Sequence, residues 1–401
     1  MPGVIVVDNA LNINSSIAIL GPIAISGNNS SRIFNVGADD TLSISTMTLQ
    51  NGKSGGGGAI EVNTNGTLNV AGVLFQGNVA EGSGGGAINN SNGTVRIAAG
   101  VFIGNQASSA NGQGGAIWNG GSASLTIEAA DFNGNTTAGS GGAIYNVGKD
   151  ASLADVIFAG NIATGDAVSK GGGAVANGQN GTMTIVRSSF AGNLSPEGNG
   201  GAIYNNIQTT MVISDTSFNG NLAGTPPSTN RLGGAILNMA NLTLNHTTFL
   251  NNGVVGDGGA IANDRSAVLK IYNSGFTANL ASGKGGGLHN FNPGSGGTPK
   301  TTAVNSTFSA NAAIQGGGGG IFNGHAIGQV TVSNTIVATS AGGNCNTALT
   351  SLGHNLDSEN SCGFSGTGDK INADAKLDIP FFNGGAIATF LTQKLNEGSA
   401  A

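Results

Sequence analysis

Charge is what this sequence has least of. Only 8% of its 401 residues are Asp, Glu, Lys or Arg, against roughly a quarter in ordinary globular chains. The 14 basic residues are scattered and the net charge is −6, so there is no basic patch, which argues against nucleic acid as a partner. No run of 18 or more apolar residues occurs, so no transmembrane segment is expected. Met1-Pro2-Gly3-Val4 does not have the form of a signal peptide. An exported protein would have lost its signal or carried it outside this chain. The histidines are four, His246, His289, His325 and His354, and no two share a repeat position. The Gly-Gly-x-Gly-x-Asp calcium repeat is missing. Neither a metal site nor a cofactor is expected.

Glycine is what the chain has in excess, 72 residues of it, and much of it is periodic. The block Gly85-Gly86-Ala87-Ile88-Asn89-Asn90 returns with its Asn at Asn119, Asn146, Asn177, Asn205, Asn238 and Asn263. Looser copies end at Asn290 and Asn323, and an early copy, Gly57–Ile60, lacks the Asn. A second block, Phe-x-x-Asn, alternates with it from Phe75–Asn78 to Phe308–Asn311, with successive Phe 26 to 32 residues apart. That period suits one turn of a solenoid. The pieces within a period are too short for helices and are separated by Gly or Asn. Three short strands per turn, stacked, make a parallel β-helix of about 11–12 turns.

Two-residue alternation sets which side chains point inward. Counting back from each Phe, positions −7 and −5 are mostly apolar, as in Leu68/Val70, Leu125/Ile127 and Leu242/Leu244. Stacking then makes columns of Phe, of Ala-Ile and of two sets of Asn, whose amides bond to the Asn above and below. Gly-Gly supplies a tight corner where φ is positive or a side chain would clash. These columns give enough buried surface to exclude a disordered low-complexity tract. One continuous domain is expected: irregular turns over 1–52, regular repeats over 53–340, and a non-repeat C-terminal cap over 341–401. The cap holds Cys345 and Cys362, which either close a disulfide loop or remain two reduced thiols. Insertions such as Ala163–Lys170 and Gly224–Arg231 fall mainly between Phe-x-x-Asn and Gly-Gly, with Asn292–Lys300 in the other gap. Variable loops on one edge of a rigid scaffold are where binding resides.

The alternation of Gly-Gly-Ala-Ile and Phe-x-x-Asn resembles the repeats of the chlamydial polymorphic outer membrane proteins. It is also similar to a large class of bacterial secreted or surface proteins with a right-handed, pectate-lyase-like fold. The segments Ile25–Phe34 and Asn344–Phe364 are similar to the start and end common in that class. The resemblance implies an all-β, right-handed parallel β-helix solenoid, export, and surface display with a structural or adhesive role. No β-barrel follows in this chain, so a complete autotransporter is not expected.

Three functional readings follow. The first is a non-catalytic extracellular module that adheres to a glycan or host-surface ligand through the loop edge. The second is homotypic end-to-end assembly into a fibre through the apolar ends Val4–Val7 and Phe381–Ile387. The third is a polysaccharide lyase or hydrolase, whose only candidate constellation is Asp155, Arg187 and Asp215, a column that reads more readily as an exposed ion-pair ladder. The position after the Ile is outward and often aromatic: Trp118, Tyr145, Tyr204 and Phe322, with His289. Such rings either form a strip that stacks on sugars or cover the glycine corner of a neighbouring turn. Thr126, Thr184, Thr243 and Thr302 recur at one outward position, but Arg96 and Lys270 break the column, which argues against an ice-binding face.

Overall fold

A turn of this chain is a circuit of short strands joined at corners, many of which hold a residue of positive φ. The computed structural model describes residues 3–166, 170–291, 297–324, 329–380 and 392–401. They fall in two compact units, Met1–Gly198 and Asn199–Ala401, and the boundary lies inside the regular repeats. Within each unit the stacked strands pair in parallel, and no helix occurs among the described residues.

One face of the circuit is the Ile-x-Asn strand. The first unit stacks seven strands on this face, from Leu11–Ile13 to Val175–Asn177, the last four ending in Asn, and the second stacks five, from Ile203–Asn205 to Ile321–Asn323. Register sets Ile on Ile and Asn on Asn, as in Ile117↔Ile144 and Asn119↔Asn146. The two strands expected next are legs of one sheet, and in Thr41–Gln50, Thr210–Asn219 and Asn241–Leu250 they run on as single ten-residue strands. The remaining face is a two-residue strand after Phe-x-x-Asn, such as Val79–Ala80 and Gln106–Ala107 in the first unit and Leu222–Ala223 and Leu280–Ala281 in the second. Three faces are therefore present, but they are not the three expected. A two-residue strand is too short to show alternation, and its only mark is a small residue five places after the Phe: Ala80, Ala107 and Thr137, then Ala223, Val254 and Ala281, all buried.

The core follows the columns. Phe75, Phe102, Phe132, Phe158 and Phe190 stack in the first unit with ring centroids 4.6, 4.5, 5.1 and 4.6 Å apart. Phe218, Phe249, Phe276 and Phe308 do so in the second at 4.7, 4.7 and 4.4 Å. All nine are fully buried, each contributing about 1.5–3 kcal/mol by leaving water. Positions −7 and −5 are buried as the alternation requires, Leu125 and Ile127 among them.

Both Asn sets are buried ladders. Asn90, Asn119, Asn146 and Asn177 pass one amide hydrogen bond forward per turn at 2.7, 2.8 and 2.9 Å. In the Phe-x-x-Asn set each amide works in both directions. Asn105 Nδ2 donates back to Phe75 O at 3.0 Å and forward to Asn135 Oδ1 at 2.9 Å, and that same oxygen accepts the Asn105 backbone N–H at 3.0 Å. The second unit repeats this at Asn221, Asn252, Asn279 and Asn311. At the glycine corner the two residues have different reasons. Gly114 has φ 72°, and a Cβ on Gly115 would strike the carbonyl of Gly142 in the next turn.

Val4–Val6 pairs with Ala24–Ser26 and its side chains are about half exposed. Phe381–Ile387, the other expected apolar end, lies outside the described residues, as does His325. In the second unit the stacked column passes to Val337 and then Asp357. Cys345 and Cys362 are bonded there with Cα atoms 4.9 Å apart. The buried Asp357 carboxylate beside them accepts from Asn344 Nδ2 (2.7 Å), Glu359 N (3.0 Å) and Cys362 N (2.8 Å). Beyond this cap, 374–378 and 394–400 lie antiparallel, bridged at Leu377 and Leu395.

Candidate functional site

The outward-facing chemistry of each unit collects at one corner, three residues before the Phe. Inward residues lie at −5 and at the Phe itself, positions of opposite parity, so one residue between them must break the alternation. That residue is at −3, in the left-handed region in every turn from Thr46 to His354. In the first unit it is Thr46, Gly72, Ala99, Ala129, Asp155 and Arg187, with φ between 47° and 60°. In the second it is Asp215, His246, Asn273, Asn305, Asn334 and His354, with φ between 48° and 58°. Cβ strain there costs L-residues about 1–2 kcal/mol, least for Asn and Asp. Position −2 turns inward and is buried, as at Val73, Ala130, Thr247 and Ser306.

The corner explains the enzyme candidates. Asp155 and Arg187 are consecutive corner residues of the first unit. Arg187 Nε and Nη2 donate to the two Asp155 oxygens at 2.9 and 2.6 Å, with both side chains nearly half exposed. The hydrogen bond from Arg187 holds the Asp155 carboxyl below its usual range, partly opposed by desolvation and helped by the guanidinium charge. Asp215 belongs to the second unit, where its Oδ1 is 2.7 Å from His246 Nδ1. His246 and His354 occupy the same corner column, which corrects the expectation that no two histidines share a position. The column that Asp155, Arg187 and Asp215 share extends to both histidines, and residue type alone does not mark it.

The aromatic position after the Ile is a true column, with Trp118 over Tyr145 in the first unit and His289 over Phe322 in the second. Its rings lie on the chain itself. Tyr204, His289 and Phe322 are buried. Trp118 covers Gly120 and donates from Nε1 to Gln113 Oε1 at 3.1 Å. Tyr145 lies against Gly178, and burial raises its phenol pKa. His289 stacks on Phe322 with centroids 5.1 Å apart and has its Nε2 3.6 Å from Asp257 Oδ2. The Lys284 ammonium sits 5.0 Å over the Phe322 ring.

Hollows lie beside the corner in both units. In the first, one of about 390 Å³ is lined by Leu20, Ala71, Ala98, Arg96 and Glu128 among others, and one of about 340 Å³ by Gly72, Val73, Ala99 and Val101 among others. In the second, hollows of about 420 and 230 Å³ are lined by the corner residues His246, Asn273, Asn305, Asn334 and His354, by Ser and Thr hydroxyls, and by the returning segment 392–401. Among the described residues, no group of three or more His, Cys, Asp or Glu is placed to hold a metal ion. Among them, no helix is long and apolar enough to cross a membrane.

No curated protein and no solved structure matches the chain. Residues 130–147 and 187–206 match the Chlamydia polymorphic membrane protein repeat. Each match takes in one Phe-x-x-Asn block and the Gly-Gly-Ala-Ile-Tyr-Asn block that follows it, which are the inward Asn corner and the glycine corner described above. The chain is thus a parallel β-solenoid, two segments of which match the Chlamydia polymorphic membrane protein repeat.

Proposed function

We propose that this chain is a non-catalytic module of an extracellular or cell-surface protein, and that it adheres to a glycan or host-surface ligand through its variable-loop edge. The observation that carries the reading is the repeat itself, whose family is surface-associated. The placement of the insertions supports it. In the second unit, 224–232 extends the connection between the short face and the glycine corner. It has its own turn, with Ser228 N and Oγ donating to Thr225 O at 2.8 and 2.6 Å, and Arg231-Leu232 pairs with Gly256-Asp257. A loop braced on a stacked scaffold can vary without disturbing the columns beneath.

Asp155 is held bidentately by Arg187, which suits an exposed ion pair better than a general acid, whose pKa must be raised. The test displays the chain on cells and replaces 163–170 and 224–231 with short turns. Loss of attachment with unchanged surface display is expected; unchanged attachment overturns the loop-edge assignment. Purified protein incubated with a polysaccharide panel should shorten none of them, and shortening abolished by Arg187→Ala would establish the catalytic alternative.

A further inference from the structure

The corner column of the second unit holds a ladder that the adhesive reading does not use. Asn305 Nδ2 donates to Asn273 Oδ1 at 3.1 Å, and Asn334 Nδ2 donates to Asn305 Oδ1 at 2.7 Å. All three side chains are exposed. A side-chain amide has two donor hydrogens and two acceptor lone pairs. In the middle of the ladder, one donor and one acceptor site serve the neighbours, leaving one of each turned outward. The pattern recurs once per turn, at about 4.8 Å. A groove follows the ladder, made of the two hollows of about 230 and 420 Å³ that meet at Asn305 and Thr307. Its far wall is the returning segment 392–401, anchored where Gln393 Oε1 accepts from Thr277 Oγ1 at 3.2 Å and from Ser309 Oγ. Among the described residues that line the two hollows, Lys370 is the one ammonium and none has a carboxylate side chain.

We infer that this groove binds a neutral polysaccharide chain lying along the corner ladder, through the amides of Asn273, Asn305 and Asn334. A vicinal pair of sugar hydroxyls presents one donor and one acceptor to a planar amide. Successive pyranose units of an extended chain repeat at a length close to the rise per turn and alternate in facing, so every second sugar offers the same hydroxyl pair to every second amide and the sugars between offer their opposite edge. The left-handed backbone of the corner turns each amide outward, where a residue of ordinary φ would continue the alternation. A neutral ligand fits because amides and hydroxyls outnumber the single ammonium. The corner from His246 to His354 spans four rises, roughly 19 Å, which favours oligosaccharides over single sugars. The site is separate from the loop edge and does not depend on it.

The experiment measures binding of cellohexaose, xylohexaose and mannohexaose to the purified full chain by calorimetry, beside the matching trisaccharides. At least one neutral hexasaccharide should bind, more tightly than its trisaccharide. Asn273→Gly, Asn305→Gly and Asn334→Gly keep the positive φ while removing the amide, and each should weaken binding about fivefold. Thermal melting establishes that the variants fold. The inference is overturned if none of the three hexasaccharides binds at millimolar concentration. It is equally overturned if the folded triple variant binds as the parent does, or if only acidic oligosaccharides bind, in a manner lost with Lys370→Ala. Replacing 163–170 and 224–231 leaves this binding unchanged, so failure of the loop-edge reading and failure of this one are told apart.

Discussion

The two units build the same corner from different residues. In the first, the left-handed position is Thr46, Gly72, Ala99, Ala129, Asp155 and Arg187; in the second it is Asp215, His246, three asparagines and His354. The backbone is alike, with φ between 47° and 60° throughout. The hollows beside it are lined largely by apolar and small residues in the first unit, and by amides, hydroxyls and imidazoles in the second. The corner therefore demands a conformation and leaves the side chain free. The inward Asn corners do the opposite. There the amide closes the backbone's own hydrogen bonds, and Asn recurs in both units without exception from Asn78 to Asn311.

The largest expected effect comes from treating the two kinds of Asn alike. Asn135→Ala removes the acceptor of the Asn105 backbone N–H and the donor to Phe102 O, both deeply buried. Two orphaned backbone groups and the broken ladder should cost about 3–5 kcal/mol. Asn305→Gly, at an exposed corner, should cost less than about 1 kcal/mol. The urea midpoints of the two variants measure the contrast, and equal losses would erase the distinction between the two ladders.

A cross-link replaces the repeat at the C-terminal end of the second unit, where Val337 and Asp357 succeed the Phe column. Cys345→Ser with Cys362→Ser opens a loop of sequence separation 17 and should destabilise the cap by about 3 kcal/mol. Protease sensitivity should rise over 341–371 and remain unchanged over 60–190. Uniform sensitisation would mean that the cap holds more than its own turns.

How much of this was legible in the sequence follows the same division. Columns whose side chains do the work stand out as repeats: Phe75 to Phe308, both Asn sets and Gly-Gly. The −3 corner was hidden because its residues share a backbone angle and no chemistry. The signal present was the parity change between Ile127 and Phe132, or Leu244 and Phe249. The two-residue face was hidden because Val79-Ala80 is too short for a period. The outward aromatics were read in the right register, but burial depends on neighbours. Phe322 is covered by His289 and Lys284 from an adjacent turn, which spacing alone does not reveal.

Moving the second unit's corner into the first sharpens the comparison. Ala99 and Ala129 have φ of 52° and 53°, a conformation that Asn tolerates better than Ala. Ala99→Asn with Ala129→Asn should raise the first unit's stability by a few tenths of a kcal/mol per site. Calorimetry with the hexasaccharide that binds the parent should then show a second, weaker class of sites if outward amides suffice. Stabilisation without new binding would assign the recognition to the wall of 392–401 as much as to the ladder.

The smallest effect belongs to the first unit's charged corner. Asp155 has its pKa lowered, chiefly by the hydrogen bond from Arg187. A carboxyl whose folded pKa lies below its unfolded value, about 3.9, contributes stability that is fully present above that value and lost as pH falls through the folded one. The pair is nearly half exposed, so screening limits the contribution to about 0.5 kcal/mol. Asp155→Asn suits the corner's φ of 56° and should lower stability by that amount at pH 7, with the deficit shrinking below pH 4 and at high salt. A deficit several times larger, or one that persists at pH 2, would mean that the Asp155–Arg187 pair anchors the corner itself, and that the first unit's outer column is as structural as the asparagines inside.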